Sequence, residues 1–370
     1  MRPFFNSLKN FTASIAAATN LVVDVERVRQ TIDGMGVNIN VNSWKNGELK
    51  PALDALININ GSSAFRVIRD PMTWVNSESL IPRLHSLDLP TLQLVYETPA
   101  MQDIWNTIGY LNQKGIPGKQ IILNFMGWTP TWLGGSGTYG RPSHITVGKE
   151  QSFATMVASL VYYGRVIKGL NFTYLSPLNE EDWDCKEGPC AGTRQYALIM
   201  RDLAMELNGM GVNDIRFIAP DTAGDPSGYI ESIKGDSTVF SMTDHLTFHA
   251  YGGSRHPGAL YGFWGLLAYD EASGVYSPRK RFYVNSQINR FVTPGSQTLF
   301  LTNSVSGLGH VGAFYNPATH KVAIVGHNTA SSPVTVNGRP DQQSTRGRQF
   351  DESLRDQPKR GFSAGCSRSR

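Results

Sequence analysis

Asn171-Phe172-Thr173-Tyr174-Leu175-Ser176-Pro177-Leu178-Asn179-Glu180-Glu181-Asp182-Trp183 is the stretch on which the reading of this chain turns. It begins as a short strand, because Phe172, Tyr174 and Leu175 favour a pleated, buried surface. Pro177 has no N–H for a sheet ladder, so the strand stops there. An Asn, carboxylates and a Trp follow at once. A carboxylate at the C-terminal mouth of a buried parallel strand stands where barrel enzymes keep their reactive groups. The plainer alternative is an acidic surface loop, so the rest of the chain has to decide.

Working outward, the same alternation recurs. Before the central stretch, Phe65-Arg66-Val67-Ile68 and Ile121-Ile122-Leu123 read as strands, and residues 101–114 as a helix. Residues 151–168 carry Phe153, Met156, Val157, Leu160, Val161 and Ile167 on one helical stripe. After it, residues 193–209 form a helix on Tyr196, Met200, Leu203 and Leu207. Asp214–Ala219, capped by Pro220-Asp221, and Leu246–Tyr251 read as further strands. Strand then helix, repeated, argues for parallel β/α units in a single α/β barrel. A doubly wound sheet is the runner-up, but no Gly-rich phosphate loop follows the early strands. With Val37–Val41 as the strand that precedes these, six barrel strands are readable. Only about thirty residues separate Tyr251 from the next amphipathic segment at Pro278, roughly half of what two more β/α units need. The expected fold is therefore a (β/α)8 TIM barrel that is incomplete, with a small side β-sandwich. That sandwich would be built from the N-terminal strand at 21–29 and the β-rich runs of residues 297–337. The domains follow: residues 1–19 as a candidate signal remnant, 20–33 as a strand of the side β-domain, 34–292 as the barrel, 293–337 as the C-terminal β-sandwich, and 338–370 as a disordered tail.

Composition narrows the class. A length of 370 residues can bury a large core, and 40% hydrophobic with 10% aromatic content suits a globular protein. The net charge of +4 comes largely from Arg and Lys after residue 338. With no aromatic–basic interleaving, nucleic acid is not an expected partner. No apolar run approaches the roughly 18 residues that span a bilayer, so no membrane partner is expected, and a monomer is. The segment Asn10–Ile15 is short and polar for the core of a signal peptide, although Arg2, Lys9 and Ala16-Ala17-Ala18 have the right flanks. Of the three cysteines, Cys185 and Cys190 enclose a Gly-Pro loop and suit a disulfide in an oxidising, extracellular setting; two free thiols are the alternative. Nothing nearby in sequence completes a zinc site, and no cofactor or metal is expected.

Together the ordered pieces resemble the clan-A glycoside hydrolases, and within them the family-30 group with its endo-β-1,6-galactanase-like enzymes. The pieces are Gln30–Gly36, Phe65–Pro71, Ser176-Pro177-Leu178-Asn179-Glu180, His249-Ala250-Tyr251-Gly252-Gly253, Gly265–Asp270, Pro278–Tyr283 and Phe291–Ser296, spanning about residues 20 to 337. The resemblance implies retaining hydrolysis of a β-linked polysaccharide or oligosaccharide between two carboxylates roughly 5 Å apart. It implies Glu180 as the acid/base and Asn179 as the partner of the sugar 2-OH. Arg66 would lie under the nucleophile. His249 and Tyr251 would line the site, and Trp128, Trp132 and Trp183 would be sugar platforms. Each has a plainer alternative: Arg66 as a strand-end ion pair, His249 as a buried histidine, Trp128 and Trp132 as core.

The chain also departs from this pattern. The family's nucleophile is a Glu after the seventh strand, and that strand, its helix and the Glu have no counterpart here. The next carboxylates, Asp270 and Glu271, fall in a piece that matches the region beyond the last barrel strand. A gene-model error, a frameshift or a truncated paralogue would explain the departure. A carbohydrate-binding remnant without turnover is the alternative function.

Overall fold

The structure is a computed structural model that describes residues 11–15, 19–40, 44–68, 75–137, 141–183, 185, 187–249, 265–303, 307–334 and 337–340. Of the expected leader at 1–19, residues 11–15 and 19 lie in strands paired within a sheet, while residues 1–10 and 16–18, Tyr251 and the tail from 341 onward lie outside the described residues. The chain divides into two compact units, residues 36–282 and residues 1–35 with 283–370.

The chain enters through β1 (Phe11–Ile15) and β2 (Thr19–Ile32), which pair antiparallel. The larger unit then alternates strands and helices. β3 (Gly36–Asn40) leads to α1 (Lys50–Ala55), which runs on as a wider π turn over Leu56–Asn60. β4 (Ala64–Ile68) is followed by α2 (Ile81–His85), α3 (Leu89–Tyr96) and α4 (Pro99–Gln113). β5 (Ile121–Asn124) leads to α5 (Glu150–Tyr162), and β6 (Tyr174–Ser176) to α6 (Thr193–Gly209). β7 (Arg216–Thr222) is followed by α7 (Ser227–Lys234) and α8 (Ser237–Met242), and then by β8 (Thr243–Phe248). An antiparallel hairpin of β9 (Leu267–Asp270) and β10 (Val275–Pro278) comes next.

The six strands β3 to β8 form one parallel sheet in strictly sequential order. A doubly wound sheet reverses its strand order at a switch point. Here no reversal occurs, so the winding is that of a barrel wall. β6 stops at Ser176, where Pro177 removes the next donor. β7 behaves differently from the expectation that it would end at Ala219. It continues through Pro220 to Thr222, and its ladder with β8 is irregular between Ile218 and Asp221. A proline is tolerated inside a sheet at such an irregularity because no ladder donor is needed there.

Packing on the sheet explains which periodicities were informative. The Tyr196, Met200, Leu203 and Leu207 stripe of α6 is buried as expected. α5 is buried on nearly all sides, from Phe153 through Val161, because it packs against both α2 and α6. Each large side chain buried there contributes about 1.5–3 kcal/mol, so Leu160→Ala would cost about 2–5 kcal/mol. Ile167 leaves the expected stripe and is exposed, since the helix widens into a π turn at Tyr163–Ile167.

The smaller unit holds β2, β11 (Ser296–Asn303), β12 (Leu308–Asn316), β13 (Lys321–Asn328) and β14 (Asn337–Pro340), after α9 (Lys280–Asn289). With β1 they make one antiparallel sheet in the order β13-β12-β11-β2-β1-β14. β2 pairs with β11, joining the two ends of the chain as the sequence suggested. Among the described residues the strands form one sheet and not the expected pair of facing sheets. Val23, Val25, Leu299, Ala313 and Tyr315 gather into a single apolar cluster on it. Residues 338–340, expected to open the tail, belong to β14 and pair with β1.

Candidate active site

The groups of the candidate site come from the parallel strands and from the residues just after them, Arg66 from the middle of its strand and the others from the C-terminal ends. Arg66 comes from β4, Ser176 ends β6, Asp221 lies near the end of β7, and Thr247 and His249 come from β8 and the residue after it. Glu180 follows β6 by one turn and is 6% exposed. Its φ of +51° lies in the left-handed region, which costs a non-glycine residue about 1–2 kcal/mol. The strain is held by the Glu180 N–H donating to the Asp221 carbonyl at 2.9 Å and the Trp183 N–H donating to the Glu180 carbonyl at 3.0 Å.

His249 joins two carboxylates. Its Nδ1 is 2.7 Å from Glu180 Oε1, and its Nε2 is 3.2 Å from Asp221 Oδ1. Asp221, held ionised, only accepts, so Nε2 carries a proton, and the raised pKa of the ring makes it an imidazolium at neutral pH. The Asp221 and Glu180 hydrogen bonds raise its pKa to about 9, against the opposing effect of burial. Asp221 is 2% exposed and is the hub of the cluster. Arg66 makes a two-nitrogen ion pair with it, Nη1 lying 3.3 Å from Oδ1 and Nη2 meeting Oδ2. The Ser176 hydroxyl is 3.2 Å from Oδ2, and the Thr247 hydroxyl is 3.2 Å from Oδ1. Burial pushes the Asp221 pKa up, but His249 and Arg66 outweigh it and bring it down to about 2.

The sequence singled out Glu180, Asn179, Arg66 and His249, and the fold brings these four together. Asn179 is buried; its Oδ1 accepts from Arg66 Nη2 at 3.1 Å, and its Nδ2 has no partner within the protein. Trp183 is 60% exposed beside this cluster. Trp132 donates from Nε1 to the Val75 carbonyl at 2.7 Å and packs against the core. Trp128 is half-buried in the turn after β5. Tyr251 lies outside the described residues. Asp270 accepts from the Ala272 N–H and the Ser273 hydroxyl of the hairpin turn, and Glu271 is exposed in that turn.

Arg66 was expected beneath a nucleophile from a seventh strand; its carboxylate partner is Asp221 instead. The sequence marked Asp221 only as a strand cap, and nothing local signals that β4 and β8 converge on it. Cys185 and Cys190 form a disulfide. The loop it closes is stitched to the loop after β5: Ser143 N–H donates to Cys185 O at 2.8 Å, and Cys190 N–H donates to Ser143 O at 3.0 Å. Among the described residues no group of three or more His, Cys, Asp or Glu could hold a metal ion, and no helix is long and apolar enough to cross a membrane.

The fold is that of the family-30 glycoside hydrolases, an α/β structure built on a parallel sheet. One structure it resembles is a glycoside hydrolase family 30 subfamily 8 xylanase from Clostridium acetobutylicum, with a TM-score of 0.63, 20% identity and 85% of each chain covered. Another is an endo-β-1,6-glucanase, with a TM-score of 0.66 and 14% identity over 89% of this chain and 93% of the other. A third is the catalytic domain of the family-30 xylanase C of Talaromyces cellulolyticus, at 0.60 and 14% over 85% of each. No protein-family model and no curated protein matches the sequence.

Proposed function

We propose that the chain is a glycoside hydrolase acting on O-glycosidic bonds of a β-linked polysaccharide, with Glu180 as its acid/base. The observation that carries this reading is the strained Asn179-Glu180 turn at the mouth of β6, in a fold shared with family-30 hydrolases. In this role Glu180 protonates the leaving oxygen and later takes a proton from water. His249 holds the Glu180 carboxylate by Oε1 and fixes its direction. Asn179 Nδ2, a buried donor with no partner within the protein, is the group offered to a sugar hydroxyl. Trp183 offers an exposed ring for stacking. The Cys185–Cys190 disulfide suits an oxidising, extracellular compartment.

The test is release of reducing sugar from β-1,6-galactan, β-1,6-glucan and xylan. The first follows from the sequence resemblance, the others from the names of the structural neighbours. Glu180→Gln is expected to lower the rate by about 10²-fold or more. Unchanged release in that variant would remove Glu180 from the role.

A second reading, glycan binding without turnover, is favoured by one observation: both Asp221 oxygens are engaged by Arg66, His249, Ser176 and Thr247. The residues from Ala250 to Tyr269 contain no Asp or Glu, so they supply no second carboxylate. On this reading the barrel lacks its seventh β/α unit. Saturable oligosaccharide binding with no product after long incubation would select it. Transcript sequencing across the codons for Gly253 to Gly262 tests whether the junction is genuine.

A further inference from the structure

Three successive carboxylates follow Asn179, and the proposed chemistry uses only the first. Asp182 turns to the backbone, accepting from Ala223 N–H at 2.7 Å and Gly224 N–H at 2.8 Å. Glu181 turns inward and is 1% exposed. Its Oε1 accepts from Asp221 N–H at 3.0 Å, and its carbonyl accepts from Ala191 N–H at 3.1 Å. Its Oε2 is buried with no partner within the protein, as is the Tyr196 hydroxyl. The two groups sense each other, since burial and then the Glu181 charge drive the Tyr196 pKa upward. A carboxyl group is an expensive thing to bury, and a core position here would be filled more cheaply by an apolar side chain.

The contact with Asp221 supplies the reason. Glu180 N–H donates to Asp221 O, and Glu181 Oε1 accepts from Asp221 N–H, so residue 221 is gripped at both backbone polar groups. From Asp221 the contacts run outward through its carboxylate to Arg66 and His249. They then reach the Glu180 carboxylate from His249 and the Asn179 amide from Arg66. We propose that Glu181 is a positioning residue of this site: by holding the Asp221 N–H it fixes the carboxylate on which His249 and Arg66 are aligned, and through them it aims Glu180 and Asn179 at a bound sugar. The inference deepens the glycoside hydrolase reading and rests on it for the sugar. Burial, reinforced by the Asp221 and Asp182 charges, raises the Glu181 pKa to about 7 against the backbone N–H bonds it accepts. Either protonation state retains an acceptor at Oε1.

The experiment follows the His249 ring by NMR against pH in the full-length wild-type chain, Glu181→Gln and Glu181→Leu. Calorimetry with β-1,6-galactotriose, gentiotriose and xylotriose and a thermal melt accompany it. Glu181→Gln retains a carbonyl acceptor, so its His249 midpoint stays within about half a unit of wild type and its affinity within about threefold. Glu181→Leu removes the acceptor, so its midpoint falls by about one unit or more and any saccharide affinity by about tenfold. A Glu181→Leu protein that melts earlier but keeps the wild-type midpoint overturns the proposal, because the role would then be structural only. If Glu181→Leu does not fold, Glu181→Asp, one methylene shorter, is read on the same titration, and an unmoved midpoint overturns the proposal equally. Wild-type protein that binds none of the saccharides defeats the functional reading while the titration still decides whether Glu181 aligns the cluster.

Discussion

Replacing Asp221 by Asn removes one charge and little else. The side chain keeps its volume and an acceptor oxygen, but Arg66 and the His249 imidazolium lose the anion between them. A fall of the Asp221 pKa from 3.8 to about 2 means that the fold favours its ionised form by about 2–3 kcal/mol, at 1.36 kcal/mol per unit. The His249 contact is the same interaction seen from the other side and is counted once. Removing one partner of a buried ion pair costs about 3–5 kcal/mol, because the surviving charge stays buried. The expected loss for Asp221→Asn is therefore about 3 kcal/mol at pH 7, read as a fall in the urea midpoint at constant m. The sign of the pH dependence follows from the lowered folded-state pKa. The stabilisation is complete above the unfolded value of 3.8 and disappears as pH falls towards about 2. The gap between wild type and variant should thus be flat from pH 7 to about 5 and close between about 4 and 2. A gap below about 0.5 kcal/mol at pH 7, or one that persists unchanged to pH 2, would refute the hub role of Asp221.

Raised to about 9 in the fold against 6.5 when unperturbed, His249 contributes stability that is complete below pH 6.5 and is lost as pH rises to about 9. Urea titrations across that window should show the decline in wild type and lack it in His249→Gln. Reducing the Cys185–Cys190 disulfide, whose partners are 5 residues apart, should cost about 2 kcal/mol in the chain-entropy account, measured as a lower Tm in the Cys185→Ser, Cys190→Ser double variant. Gly188→Ala would drive a Cβ into the backbone carbonyl of Asn179, so it should lower Tm by the equivalent of about 1–3 kcal/mol and weaken saccharide binding in calorimetry.

What the sequence could reveal depended on how far apart the interacting residues lie. α6 carries its own stripe, and Pro177 ends β6 by removing a local donor, so both were legible. α2, α3, α7 and α8 are 5 to 8 residues long, too short for a helical period to stand out. Asp88 and Asp236, which cap α3 and α8 by accepting backbone N–H groups, were the available signals. Asn179 and Glu180 were legible because they adjoin a strand with a clear stop. Asp221 was not, because its ion pair with Arg66 joins residues 155 apart and its strand runs through a proline that reads as a terminator. Glu181 escaped for a related reason: in an acidic run, only the fold distinguishes the carboxylate that is buried.

The pairing of β2 with β11 has a consequence for synthesis. Leu21 meets Asn303 and Val23 meets Leu301 across that ladder. A ribosome adding about 5–20 residues per second needs on the order of ten seconds to a minute to deliver β11 after β2 has emerged. Throughout that interval Leu21, Val23 and Val25, all buried in the finished sheet, belong to a nascent strand that lacks this partner. As it leaves the exit tunnel β2 is thus a natural client for chaperones, and a circular permutant opened between β2 and β3, in which β2 is made after β11 to β14 and not long before them, should fold with less aggregation during translation.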